Sequence, residues 1–169
     1  MKIYTYPDPV LRAHAEPVEK IDNGIQELID NMIETMYAAP GIGLAANQVG
    51  ALKRVIVFEA FPKEKKGVPE VLVNPEIIVS DGKICAEEAC LSVVDYAADV
   101  TRASYIRARG LDRNGNVVEI EAEDLKAICL QHEIDHLNGV LFIDHISSLK
   151  RSLYKKRLKK RLKESETPA

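Results

Sequence analysis

The segment Gln131-His132-Glu133-Ile134-Asp135-His136 constrains this chain more than any other stretch. Residues four apart stand one above the other on a helix, so a helix here aims two imidazoles, His132 and His136, at one point. Glu133, one position round, can stand beside that point as a general base. The competing reading is a polar helix face on which two histidines happen to fall at this spacing. The surrounding pattern separates the two. Leu125, Ile128, Cys129, His132 and His136 form a single stripe, so the histidines share the apolar face. Two imidazoles buried together need partners, which favours a metal site. The helix is expected to start at Glu123 or Asp124, a capping residue, and to end near Asn138-Gly139.

The rest of the chain is read around that helix. With 169 residues, 46% hydrophobic and 29% charged, it has the composition of one soluble domain with material for a core. Asp22 and Asn23 are N-cap candidates for a first helix whose apolar positions, from Ile25 through Met32 to Met36, recur at three and four; Pro40-Gly41 stops it. Residues 54–58, 71–73, 77–79, 83–86, 103–109 and 117–122 read as strands, with turns at Asp81-Gly82 and Asn114-Gly115. Residues 62–67 read as a solvated lysine-rich loop. Strands in the middle and helices towards the ends predict an α+β fold: mixed or antiparallel strands packed around a central metal-binding helix, with a C-terminal helix. Gly41 to Gly50, small and glycine-rich with Gln48 near its end, is either a tight packed loop or a backbone lying against a ligand.

A catalytic site of the zinc type needs three protein ligands and an open position. The extended His-Glu-x-x-His-x-x-Gly-x-x-His pattern of some metalloproteases matches through Gly139 and then meets Phe142. Downstream glutamates are confined to the charged tail, at Glu164 and Glu166. Upstream, Glu88-Ala89-Cys90-Leu91-Ser92 offers a thiolate, a strong ligand for Zn²⁺ or Fe²⁺; the alternative for Cys90 is a small buried hydrophobe. Cys85 and Cys129 read as small buried hydrophobes, and His145 as a structural histidine. Three cysteines without a Cys-x-x-Cys pair, behind an N-terminus lacking the apolar run of a signal peptide, predict reduced thiols and a cytoplasmic location. No stretch has the length of a membrane span.

Three segments, Gly41-Ile42-Gly43-Leu44-Ala45-Ala46-Asn47-Gln48, Glu88-Ala89-Cys90-Leu91-Ser92 and His132-Glu133-Ile134-Asp135-His136, occur in this order and at these separations. Together they resemble the three signature motifs of the peptide deformylases, and the likeness extends to the Tyr6-Pro7-Asp8-Pro9-Val10-Leu11-Arg12 opening. The resemblance implies a metallohydrolase that removes the N-formyl group from the N-terminal methionine of new polypeptides and releases formate. It implies one divalent ion on Cys90, His132 and His136, with Fe²⁺ expected and Zn²⁺, Ni²⁺ or Co²⁺ able to substitute. Metal-bound hydroxide would attack the formyl carbonyl, with Glu133 as general base and acid and with the Gln48 amide and Leu91 N–H facing the oxyanion. Ile42, Leu125, Ile128 and Cys129 would hold the methionine side chain, and Gly43 and Ala89 would pair with the substrate backbone as an added strand.

The sequence departs from that pattern at Ala89, where glycine is usual, at Val94 and at Ala97. An alanine forced to positive φ would cost about 1–2 kcal/mol. Residues 1–146 are expected to form the catalytic domain, and 147–169 a basic helix with a frayed end from 164. Within 150–163 lie 9 of the 23 basic residues and no acidic one; without them the remainder carries −12 against −3 for the whole. Leu149, Leu153, Leu158 and Leu162 give this helix a partial apolar stripe. It resembles the helix by which bacterial deformylases dock on the ribosome, with salt-sensitive phosphate contacts and no sequence-specific nucleic-acid reading. The protein is expected to be a monomer. The alternative is a non-catalytic ribosome-associated protein that keeps the fold.

Overall fold

The computed structural model describes residues 1–59 and 68–166. The first helix, α1 (Asn23–Ala38), starts where Asp22 accepts from the Ile25 N–H at 3.0 Å. Seven strands follow: β1 (Gly43–Ala45), β2 (Val55–Glu59), β3 (Pro69–Asp81), β4 (Ile84–Cys90), β5 (Val93–Arg102), β6 (Tyr105–Leu111) and β7 (Val117–Glu123). Then come α2 (Asp124–Leu137) and α3 (Ser148–Glu166).

Five strands form one antiparallel sheet in the order β1-β2-β3-β6-β7, and β4 and β5 form a separate two-stranded hairpin. The run Val55-Ile56-Val57-Phe58 is apolar throughout because β2 is covered on both faces. Val55 and Val57 pack with Ile29, Met32 and Met36 of α1, whereas Ile56 and Phe58 pack with Leu130, Ile134 and Leu137 of α2. The central helix α2 therefore lies against one face of the sheet and α1 against the other. A third cluster joins Val93, Ala98 and Val100 of the hairpin to Leu11, Phe142, Tyr154 and Leu158.

The α+β expectation holds, and several details change. Residues 71–73 and 77–79 belong to one strand, β3, whose pairing with β6 is interrupted near Asn74, a residue with φ 51°. Strand β5 was absent from the expected elements, since Asp95, Asp99 and Arg102 dilute its alternation. Glu123 is the N-cap of α2, but its side chain makes no capping bond. Burial wraps α2 rather than following one stripe, and Leu125 is 51% exposed. Cys85 is exposed, not buried. On α3 the buried residues are Tyr154 and Leu158, while Leu149, Leu153 and Leu162 face solvent. That helix continues to Glu166, past the expected fraying point. The lysine-rich loop at 62–67 lies outside the described residues. No helix among the described residues is long and apolar enough to cross a membrane.

Candidate active site

Cys90 ends β4, and the register slips between Ala89 and Cys90 so that Cys90 opposes Val93. Such an irregularity re-aims a side chain, here towards α2. Cys90 Sγ lies 3.2 Å from His136 Nε2, which lies 3.2 Å from His132 Nε2. All three donor atoms fall within 4.8 Å of one another, and this is the one such metal-competent group among the described residues.

The donor set fits a cation. His132 Nδ1 donates to Glu88 Oε2 at 2.9 Å, leaving Nε2 free to offer a lone pair when the ring is neutral. Burial, reinforced by the facing His132, holds His136 well below the usual histidine range. Burial also opposes charge on His132, yet hydrogen bonds to Cys90 and Glu88 outweigh it and hold that ring well above the usual range. A thiolate with two imidazoles suits a borderline-soft divalent ion.

Glu133 is buried beside the group, and its Oε2 has no hydrogen-bond partner among the described residues. Burial pushes its carboxyl up to about 7, against the pull of His132 and Arg102. A Cβ at Gly43 would stand 2.6 Å from Glu133 Oε1, so the absence of a side chain there makes room for the carboxylate. Gln48 is equally fixed. Its Oε1 accepts from the Ala45 N–H at 2.8 Å, and its Nε2 donates to Ser92 Oγ at 3.0 Å while lying 3.6 Å from Cys90 Sγ.

These groups form the floor of a cleft of about 370 Å³. Cys90, His132, Glu133, Gln48, Leu91, Ile42, Gly43, Ala89, Leu125, Ile128 and Cys129 all line it, and His136 lies buried beneath. Cys129 Sγ sits 3.6 Å from the Ile42 carbonyl oxygen. The glycine-rich segment lies against the cleft: it is edge strand β1 followed by a short 3-10 turn over Ala46–Val49. Ala89 has no positive φ, so an alanine is accommodated without strain. His145 pairs with Asp135 at 2.8 Å, a structural role.

Reasoning from sequence missed the supporting groups Glu88, Ser92, Asn47, Arg102 and Asp135. Two could have been found by periodicity. Glu88 shares a strand face with Cys90 at a spacing of two, and Asp135 follows His132 by three on one helix. Asn47, which donates to the His136 carbonyl, and Arg102 come from distant parts of the chain and carried no such signal.

One thiol and two imidazoles converging beside a buried carboxylate, at the floor of a mainly apolar cleft, define a class, the metal-assisted hydrolases. The chain belongs to the polypeptide deformylase family, whose model matches residues 1–152. A peptide deformylase of Thermodesulfovibrio yellowstonii is 53% identical over 159 residues, covering 94% of this chain and 96% of that one. The crystal structure of peptide deformylase from Ehrlichia chaffeensis superposes with a TM-score of 0.91 at 38% identity, covering 99% of both chains. A structure of peptide deformylase from the same organism in complex with actinonin gives 0.89 at 42% identity, covering 95% and 96%. The activity is that of the family, metal-dependent removal of the N-formyl group from N-terminal methionine. The non-catalytic alternative finds no support.

Proposed function

We propose that Cys90, His132 and His136 hold the divalent ion, and that Glu133, Gln48 and Leu91 perform the hydrolysis of formylmethionyl polypeptides. The observation that carries this reading is the convergence of three donor atoms within 4.8 Å beside the buried Glu133. An ion there supplies Lewis acidity, lowering the pKa of water towards neutrality and polarising the formyl carbonyl. Glu133 takes a proton from the attacking water and delivers it to the departing methionine amine. A carboxyl pushed up to about 7 can do both near neutral pH. The Gln48 amide, already oriented by Ala45 and Ser92, donates to the oxygen on which charge develops, with the Leu91 N–H as second donor. Ile42, Leu125, Ile128 and Cys129 receive the methionine side chain. The open edges of β1 and β4, at Gly43 and Ala89, pair with the substrate backbone.

Fe²⁺ is the ion of this proposal, with Zn²⁺, Ni²⁺ or Co²⁺ able to substitute. Residues 1–146 do the chemistry, and the segment 147–169, which carries the basic helix α3, meets ribosomal phosphates in the cytoplasm. The enzyme acts as a monomer. The test is formate release from formyl-Met-Ala-Ser by protein purified anaerobically with Fe²⁺, wild type beside Glu133→Ala. Release that the variant loses while retaining metal is the expected result. Undiminished release removes Glu133 from the mechanism, and no release by metal-loaded wild type overturns the reading.

A further inference from the structure

The candidate ligands arrive on two separate elements, Cys90 on the β4–β5 hairpin and both histidines on α2. Their donor atoms meet only if hairpin and helix keep a fixed separation. Backbone pairing does not impose it, because the hairpin is a two-stranded sheet of its own. Buried side chains span the gap instead, and Arg102 gathers three of their carboxylate contacts. Arg102, the last residue of β5, places Nε 2.6 Å from Glu88 Oε1 and Nη2 2.9 Å from Glu88 Oε2, a two-pronged pair within the hairpin. Its remaining nitrogen, Nη1, reaches Asp135 Oδ2 on α2 at 2.6 Å. Both the Arg102 and Glu88 side chains are only 4% exposed. Glu88 Oε2 also receives the His132 Nδ1–H, so the same carboxylate touches the clamp and a candidate ligand.

Buried ion pairs of this kind contribute little net stability, since desolvation offsets their attraction. Their value lies in geometry. We propose that Arg102 is a positioning residue that fastens Glu88 on the hairpin to Asp135 on α2 and so sets the separation of Cys90 from His132 and His136. This rests on the reading that those three residues hold a divalent ion. A guanidinium suits the task because its planar fork serves two carboxylates at once, which a lysine ammonium cannot reproduce. His132 and Asp135 stand three apart on α2 and are neighbours on its surface, so anchoring one steadies the turn that carries the other.

The test titrates the chelator-stripped full chain with Co²⁺ against a chromophoric competitor, for wild type, Arg102→Lys and Asp135→Asn. Thiolate-to-Co²⁺ charge-transfer absorption reports Cys90 ligation separately from histidine ligation. Wild type is expected to bind Co²⁺ with that band present. Arg102→Lys is expected to weaken binding by about 10- to 100-fold and to diminish the band. Asp135→Asn, which leaves the Arg102–Glu88 pair intact, is expected to weaken it several-fold, and it decides alone if Arg102→Lys does not fold. Wild-type affinity and an unaltered band in the variants overturn the proposal, whatever their metal-free thermal stability, because Arg102 is then only a structural ion pair. A wild type that binds no Co²⁺ overturns the underlying ligand reading, and this proposal with it.

Discussion

The helices α2 and α3 are of similar length, 14 and 19 residues, yet the fold treats them in opposite ways. From Ala127 to Leu137 almost every position of α2 is buried, polar ones included, whereas the described side chains of α3 that are buried are Tyr154 and Leu158. On α2 charges have defined partners: His132 has the buried Glu88, and Asp135 has the buried Arg102 and the partly exposed His145, while the buried Glu133 Oε2 has none among the described residues. On α3 the basic residues are solvated, and pairs such as Arg161–Asp95, at 2.6 Å, lie between groups about half or more exposed. Low dielectric makes charge positions on α2 consequential for protonation and metal binding, while water and salt screen those on α3. Charge is therefore governed by buried partners in one helix and by solvent and salt in the other.

The sharpest way to break this contrast is Glu133→Gln, which keeps shape and removes the proton acceptor. A kcat loss of about 10²- to 10⁴-fold is expected, with metal content unchanged by elemental analysis. Next comes Gln48→Ala, expected to cost about 2.7–4 kcal/mol of transition-state stabilisation, read as lowered kcat with metal retained; turnover within a few-fold of wild type would remove Gln48 from the mechanism.

Acid titration of stability gives the third measurement. Burial opposes charge on Glu88, but Arg102 and His132 more than compensate and hold its carboxyl at about 2. Its folded pKa lies below that of the unfolded chain, so on acidification the unfolded state takes the proton first. The stabilisation is complete above the ordinary carboxyl range and is lost as pH falls through it towards about 2. The effect is of order 3 kcal/mol. Denaturant melts across that window should show a shallower acid limb in Glu88→Gln, and an identical limb would contradict the assignment.

On α3, Leu158→Ala should cost about 2 kcal/mol, while Leu162→Ala should stay within about 0.5 kcal/mol. Equal effects in urea melts would mean that the helix docks by a different face. Smallest in stability terms is replacement of Lys155, Lys156, Lys159 and Lys160 by Gln. It should leave melting and formate release unchanged, yet lower affinity for polyanionic RNA and flatten its salt dependence.

Much of the candidate site was legible because it depends on local periodicity. The spacing of His132, Glu133 and His136 on one helix follows from residue order alone, whereas Cys90 and Gln48 kept alternative readings until the resemblance of the three motifs singled them out. Also following from residue order alone are α1, the Asn114-Gly115 hairpin and the doubly covered strand β2, each signalled by composition within a few residues. Other features were illegible because their cause lies far along the chain. Strand β5 is held by its pairing with β4 and by the burial of Arg102, a residue that no hydrophobic pattern would place inside. Leu125 shares a helical phase with buried residues, yet it is exposed at the cleft because no element among the described residues covers its side of α2. On α3 the leucine spacing pointed to one face, of which the aromatic surface of Tyr6, Tyr96 and Phe142 kept Leu158 and added Tyr154.

The sequence by itself determined which groups can ligate, accept a proton and line a pocket, because these are properties of residue type at helical and strand spacing. Only the tertiary structure decided which of them meet, how dry they are and what holds them at that distance. Burial and ion pairing are set by elements tens of residues apart, and local sequence carries no trace of the partner until the chain has folded.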